Sequence, residues 1–281
     1  MSRLYSLAYL TVPGVTPDEQ VRLAHAAGYD AVGLRLIAMG LPDEPDCDPL
    51  SPQVMARTRA AMDETGILCH DIELARILSD ETPAGYERAI AAGAELGARH
   101  LISSAWTRGI DDDAYVTDFF GDLCDLAAGY GMTVSLEFPS FSRLINLAEA
   151  AAILNAADRP NSAVLIDSLY YHLSHMTPED LDQVPVGRVH MLHVCDAPKT
   201  RPGTRAEMRA IARAGRLYPG EGAIDFAPLR DRFPGAAISI ELPNAARTAE
   251  LGRETHARRC LLAARSIFES GETPALTGTG G

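Results

Sequence analysis

Cysteine is scarce in this sequence and follows no metal-binding or disulfide pattern. There are five cysteines in 281 residues, an odd number with no CxxC spacing: Cys47, Cys69, Cys124, Cys195 and Cys260. Disulfide-stabilised secreted domains and thiolate zinc sites need paired or closely spaced cysteines. The pattern therefore gives neither a disulfide framework nor a thiolate zinc site, and it is typical of a protein in a reducing cytosol.

The sequence also lacks an excess of basic residues and a long apolar run. Lys and Arg number 25 against 38 Asp and Glu, which gives a net charge of -13 and a pI near 5.0. Such a charge opposes binding to nucleic acid, although local arginines could still receive a small anionic substrate. No apolar run is long enough to cross a bilayer, and the first residues form no signal-peptide core. We therefore expect a cytoplasmic protein with neither nucleic acid nor membrane as partner.

What the sequence does have is a regular alternation of strand-like and helix-like segments. Hydrophobic periodicity predicts eight strands, at residues 4–10, 29–36, 67–74, 100–104, 132–138, 163–167, 188–194 and 236–242. Helical segments separate them, with a short helix near 178–183, and one final helix is expected at 247–269. An open, doubly wound sheet is disfavoured because no glycine-rich turn follows the first strand. The order predicts an α/β protein with a single (β/α)8 TIM barrel over 1–270 and a flexible tail at 271–281.

Acids and one imidazole stand at the carboxyl ends of the last four predicted strands. They are Glu137, Asp167, His193 and Glu241. A single strand-terminal Glu is usually a helix cap or a solvated loop residue, but Leu-Glu-Phe-Pro and Ile-Glu-Leu-Pro are near copies at strands five and eight. In a barrel these ends converge on one rim, where active sites form. The set predicts a divalent metal site, with Mn²⁺ or Mg²⁺ favoured and Co²⁺ or Zn²⁺ as alternatives.

These motifs resemble the sugar phosphate isomerase/epimerase superfamily, which has a xylose isomerase-like barrel. The resemblance covers nearly the whole chain, and it depends on Glu137 in Leu-Glu-Phe-Pro, Asp167 after Val-Leu-Ile, His193-Val-Cys-Asp196, the stretch from Arg216 through Pro-Gly-Glu-Gly, and Glu241. It implies that Glu137, Asp167, His193 and Glu241 are the metal ligands. It also implies that Arg216 contacts the substrate.

One position departs from the pattern of the epimerase-like members. These often carry Asp-x-x-His after the sixth strand, but the third position after Asp167 is Tyr170 here. Imidazoles follow later, as His172 and His175. Either His172 takes the role of contacting the substrate through a different turn, which we favour, or that role is absent. The departure leaves dehydratases and other lyases open beside the epimerases.

Other residues near strand ends are candidates for binding a substrate. Glu73 ends the third strand, where it could reach the rim or pair with Arg76. Trp106, the only tryptophan, follows the fourth strand and could wall a pocket or simply pack. Arg35 could bind a carboxylate or phosphate. We expect Asp196 to orient a loop or a ligand instead of binding metal. The cation-rich loop 199–216 is expected to be either a solvated helix face or a lid that attracts an acidic substrate.

The predicted reaction is metal-assisted proton transfer at the carbon next to a carbonyl. Glu137 and Glu241, on opposite sides of the ion, are the expected base and acid. The substrate class is a keto-sugar, a polyol or a hydroxy-keto acid, and the same ligands could serve isomerisation, epimerisation or dehydration. A nuclease of the endonuclease IV type is disfavoured by the charge of -13. A non-catalytic barrel subunit is the other alternative, and self-association into a homo-oligomer is compatible with either.

Overall fold

The protein folds as a closed barrel of eight parallel strands, which confirms the (β/α)8 prediction. The computed structural model describes residues 3–41, 44–107 and 112–269, so the predicted tail at 271–281 lies outside the described residues. The strands are β1 Tyr5–Ala8, β2 Ala31–Arg35, β3 Leu68–Ile77, β4 His100–Ala105, β5 Thr133–Glu137, β6 Ser162–Asp167, β7 Met191–Val194 and β8 Ala237–Ile240. Each strand pairs with the next, and β1 pairs with β8 to close the sheet.

Helices alternate with the strands and form the outer layer. The α-helices are α1 Pro17–Ala27, α2 Pro52–Thr65, α3 Glu87–Glu95, α4 Asp113–Ala128, α5 Leu147–Ala157, α6 Ser168–Leu173, α7 Arg205–Ala214, α8 Ala227–Arg232, α9 Ala245–Leu251 and α10 Arg253–Phe268. Local signals set several ends, such as the capping box of Thr16 with Glu19 and Gly28 at φ +92°. No helix in the described ranges is long and apolar enough to cross a membrane.

Four elements differ from the sequence prediction. The helix expected at 178–183 is a 3₁₀ helix, and α6 follows β6 directly where no helix was predicted. The loop expected at 199–216 contains α7, which begins with the capping box of Thr204 and Glu207. The helix expected at 247–269 is divided at Gly252, whose φ of +77° does not fit a continuous helix.

The interior of the barrel changes from apolar to charged along the strands. A small apolar cluster of Ile102, Leu165, Met191 and Ala237 fills the inside, separate from the larger core between sheet and helices. Because side chains alternate along a strand, residues two positions after Leu165 and Met191 also face inward. These residues are Asp167 and His193. The register therefore places the polar residues of β6 and β7 inside the carboxyl end of the barrel.

Candidate metal centre

Four buried side chains converge at the carboxyl ends of β5 to β8. Glu137 ends β5, Asp167 ends β6, His193 lies in β7, and Glu241 directly follows β8. One donor atom from each lies within 4.8 Å of the donor atoms of the other three. Asp167 and His193 are directly paired in the sheet register, which fixes their side chains next to each other. The structure thus brings together the four residues that the sequence analysis singled out.

The imidazole of His193 lies between two carboxylates without forming a regular hydrogen bond. Its Nδ1 atom is 3.5 Å from Oε1 of Glu137 and 3.6 Å from Oε2 of Glu241. Within the described residues, neither ring nitrogen of His193 nor Oε1 of Glu137 has a hydrogen-bond partner. Buried polar atoms without partners are costly, and a cation at this point would satisfy them. Three carboxylates and one imidazole therefore fit a divalent ion.

Arg216 is buried against two of these carboxylates. Its Nη1 atom donates to Oδ2 of Asp167 at 2.7 Å, and its Nη2 atom pairs with Oε2 of Glu241 at 2.6 Å. Its Nε atom donates to the carbonyl of Ala212 at 3.0 Å, which holds the guanidinium in place. The side chain is only 1% exposed. The structure thus places Arg216 where it orients Asp167 and Glu241, and its predicted contact with a substrate stays a prediction.

The two glutamates differ in how readily they hold a proton. Burial raises the pKa of Glu137, and burial likewise raises the pKa of Asp167 to about 7 despite the neighbouring Arg216. Burial also acts on Glu241, but the charges of Arg216 and His193 outweigh it and lower the pKa of this carboxyl. Burial opposes protonation of His193, whereas Glu241 and Glu137 raise its pKa well above the ordinary value. The surroundings thus keep Glu241 ionised and let Glu137 take up a proton.

Asp196 holds the loop that carries Arg216. Its carboxylate accepts hydrogen bonds from the backbone N–H groups of Ala197, Gly220, Gly222 and Ile224, at 2.8–3.0 Å. A Cβ atom at Gly222 would lie 2.1 Å from the carbonyl oxygen of Ala197, so this close approach requires glycine. These bonds confirm the prediction that Asp196 orients a loop. They also explain the Pro-Gly-Glu-Gly stretch as the turn that wraps around this carboxylate.

Arg35 and Glu73 contact each other beside the centre. The Nη2 atom of Arg35 is 3.6 Å from Oε1 of Glu73, and its Nη1 atom is 3.5 Å from Oε1 of Glu44. The guanidinium also lies 4.5 Å from the centre of the Tyr9 ring. Glu73 therefore pairs with Arg35 instead of Arg76, and burial raises its pKa. The substrate contacts predicted for Arg35 and Glu73 stay predictions.

Trp106 and His172 both follow the carboxyl ends of strands, Trp106 directly after β4 and His172 in the helix after β6. The indole N–H of Trp106 donates to Oγ of Ser104 at 2.7 Å, and the ring lines a large cleft. His172 lies in α6, where its Nε2 atom accepts a hydrogen bond from Nε of Arg201 at 3.3 Å, and burial lowers its pKa. The substrate contacts predicted for Trp106 and His172 stay predictions.

An aromatic wall connects the cleft with the centre, and sequence reasoning missed its middle residue, Phe141. The ring of Phe141 lies 5.8 Å from that of Trp106 and 5.8 Å from that of Tyr170. Tyr170 in turn lies 5.7 Å from the guanidinium carbon of Arg216. The only signal for Phe141 in the sequence is its place four residues after Glu137, just beyond a strand end.

Solved structures with the same fold cover almost the whole chain. The IolI protein with a bound zinc atom superposes with a TM-score of 0.79 at 17% identity, over 96% of this chain and 99% of that chain. The D-allulose 3-epimerase from Methylomonas sp. in complex with D-allulose gives 0.69 at 17% identity, over 95% and 98%. At this level of identity the likeness shows the fold alone.

Curated relatives are more similar in sequence but match only part of the chain. The inosose isomerase of Bacillus subtilis is 29% identical over 131 residues, which are 44% of this chain and 45% of that protein. The inosose isomerase of Bacillus velezensis is 30% identical over 127 residues, 43% of each. The matched region thus spans less than half the length of these relatives.

A family model decides the assignment. The model described as xylose isomerase-like TIM barrel matches residues 21–261, which include all four residues of the candidate centre. This match confirms the resemblance drawn from Glu137, Asp167, His193 and Glu241. The chain belongs to the xylose isomerase-like TIM barrel family.

Proposed function

We propose that the protein is a divalent-metal-dependent isomerase or epimerase of a sugar or a related hydroxy-ketone. The observation that carries the proposal is the buried group of three carboxylates around an imidazole whose nitrogens have no hydrogen-bond partner within the described residues. Similarity to proteins named inosose isomerase and D-allulose 3-epimerase supports a reaction next to a carbonyl.

Glu137, Asp167, His193 and Glu241 are the residues that would hold the ion. Mn²⁺ or Mg²⁺ fits the oxygen-rich set best, with Co²⁺ or Zn²⁺ as alternatives. A bound divalent ion supplies polarisation of the substrate carbonyl and stabilises negative charge next to it. Arg216 keeps Asp167 and Glu241 in position through its two ion pairs.

The pKa shifts of the two glutamates favour the reverse of the expected order, so Glu241 is the proposed base and Glu137 the proposed acid. Glu241 is held ionised by Arg216 and His193, so its carboxylate can accept the proton from the carbon next to the carbonyl. Glu137 holds a proton more readily because burial raises its pKa, so it can return a proton from the other side. Protonation of the opposite face gives epimerisation, and protonation of the neighbouring carbon gives isomerisation.

Trp106, His172, Arg35 and Glu73 are proposed to bind the substrate above the ion. Trp106 supplies an apolar ring at the cleft. His172 is held by Arg201 and offers an imidazole at the edge of α6. Arg35 ends β2 and pairs with Glu73, which lies within β3 because that strand continues to Ile77 and does not end at Glu73 as expected. Their charged groups can bind substrate hydroxyls.

A lyase that removes water from a similar substrate is the second candidate. Tyr170 stands where epimerase-like members often have a histidine, and its ring packs against Phe141 near Arg216. A phenol at this point can donate a proton to a departing hydroxyl. We further propose a cytoplasmic location, since Cys69, Cys124, Cys195 and Cys260 are free and buried.

Hydrogen exchange with solvent tests the proposed reaction. The metal-free protein is loaded with Mn²⁺ and incubated in D₂O with a panel of keto-sugars, inososes and 3-dehydroshikimate. We expect deuterium to enter one substrate at the carbon next to the carbonyl, and EDTA to stop the exchange. Loss of water with formation of a conjugated product would instead identify a lyase. No exchange and no product with any of these substrates would contradict the proposal.

A further inference from the structure

A deep cleft opens on the same face of the barrel as the candidate metal centre. It has a volume of about 950 Å³, enough for a ligand larger than a simple sugar. Its walls come from the loops after β2, β3, β4 and β5 and from α7. Trp106 and Phe141 line it, and Phe141 leads through Tyr170 to Arg216 at the centre.

The cleft is rich in arginine although the protein as a whole is acidic. Among the described residues, it is lined by five arginines and two acidic residues: Arg76, Arg143, Arg205, Arg209, Arg213, Asp80 and Glu149. The carboxylate of Glu149 already accepts hydrogen bonds from the backbone N–H of Ile145 and the side chain of Asn146. In a chain of net charge -13, this cleft is therefore a local concentration of positive charge.

Three of these arginines project from one face of α7. Arg205, Arg209 and Arg213 are spaced by four residues, so they lie one above the other along the helix. All three are exposed, and in the part of the chain that the structure describes no carboxylate forms an ion pair with them or with Arg76. Exposed arginines elsewhere, such as Arg59 and Arg258, do pair with glutamates. Arg143 already pairs with Asp113, but Arg76, Arg205, Arg209 and Arg213 are available for an anion from outside the protein.

Arg209 ties the helix to the aromatic wall. Its guanidinium carbon lies 5.7 Å from the centre of the Phe141 ring, over the same residue that contacts Trp106 and Tyr170. Arg209, Phe141 and Tyr170 thus form a continuous series of contacts from α7 to Arg216 at the candidate centre. Guanidinium groups bind phosphate and carboxylate oxygens with paired hydrogen bonds.

The geometry points to an anionic substrate: a hydroxy-ketone that carries an oxyanion, phosphate or carboxylate, at the end away from the reacting carbon. Arg205, Arg209 and Arg213 of α7 bind that group, together with Arg76 from the loop after β3. This inference rests on the proposed function and names the substrate class for it. Of the two interpretations of segment 199–216, a solvated helix face and a lid that attracts an acidic substrate, the inference favours the lid.

Binding can be measured without turnover because Trp106 is the only tryptophan and lines the cleft. Its fluorescence is followed during titration with D-fructose 6-phosphate, 5-keto-D-gluconate and D-fructose. We expect one or both anions to bind at least about tenfold more tightly than the neutral sugar, and added salt to weaken the anion alone. Comparison of the affinities for D-fructose 6-phosphate and 5-keto-D-gluconate shows whether the cleft prefers a phosphate or a carboxylate.

The double variant Arg209→Gln/Arg213→Gln tests the residues. It should lose at least about tenfold in anion affinity and leave D-fructose binding unchanged. The matched control, Arg59→Gln/Arg258→Gln, removes two exposed arginines outside the cleft and should bind like wild type. Thermal unfolding of both variants shows that the fold is retained, because all four side chains are exposed at the surface.

Two outcomes would overturn the inference. One is equal affinity for D-fructose and both anions, and the other is unchanged anion affinity in Arg209→Gln/Arg213→Gln. Either result would leave the proposed function standing if deuterium exchange is observed with a neutral sugar. Conversely, selective anion binding without exchange of any substrate would contradict the proposed function and leave the anion site in place.

Discussion

Glu241→Gln is expected to reduce kcat by about 10²- to 10⁴-fold, the range for loss of a general base. The amide can neither accept the proton nor replace the carboxylate that Arg216 and His193 hold ionised. The change preserves the shape of a buried side chain, so the barrel should keep its fold. The rate of deuterium exchange in the substrate measures this loss directly, in the presence of saturating Mn²⁺.

Glu254→Gln is the matched control for this variant. Glu254 is half exposed on α10, and its one ion pair within the described residues is with Arg258. It should exchange at the wild-type rate. A Glu241→Gln protein that retains activity within a factor of about three would remove Glu241 from the proposed chemistry.

Arg216→Met is expected to destabilise the metal-free protein by about 3–5 kcal/mol, the usual cost of breaking a buried ion pair. Methionine fills part of the space but leaves the carboxylates of Asp167 and Glu241 buried without their cation. Urea unfolding of metal-free wild type and variant measures the difference. Arg258→Met, which breaks a half-exposed pair with Glu254, should cost less than about 1 kcal/mol.

The loss of unfolding free energy in Arg216→Met should depend on pH and on bound metal. Burial raises the pKa of Asp167 to about 7 even beside Arg216, and removal of the guanidinium raises it further. An acid with a raised folded-state pKa destabilises the fold as pH rises, so the deficit should be larger at pH 8 than at pH 5. Mn²⁺ should recover part of it. A variant as stable as wild type at pH 8 would show that the ion pairs contribute nothing.

The barrel and the four converging residues could be predicted because both depend on local regularities. Strand and helix periods alternate along the chain, and Glu137, Asp167, His193 and Glu241 close apolar strands in succession. Parallel strands in a barrel bring their carboxyl ends to one rim, so chain order alone placed these side chains together. Asp196 was predictable for the same reason, because it lies just beyond the end of β7.

The partners of these residues could not be predicted because they depend on tertiary packing. Arg216 is distant in sequence from Asp167, and only the turn held by Asp196 brings their side chains to 2.7 Å. Glu73 lies opposite Arg35 in a sheet whose register shifts on both sides of β3. The hydrophobic period of the sequence does not indicate such shifts. For segment 199–216 the sequence left two interpretations open, a solvated helix face and a lid, because the spacing of its arginines fits either one.

Titration of the metal-free protein with Mn²⁺ in a calorimeter tests the central claim most directly. The claim is that Glu137, Asp167, His193 and Glu241 form one divalent metal centre at the carboxyl end of the barrel. We expect one ion per chain in wild type, and an affinity at least about tenfold weaker in His193→Gln, which removes the imidazole ligand. Absence of binding in wild type, or equal affinity in His193→Gln, would contradict the account.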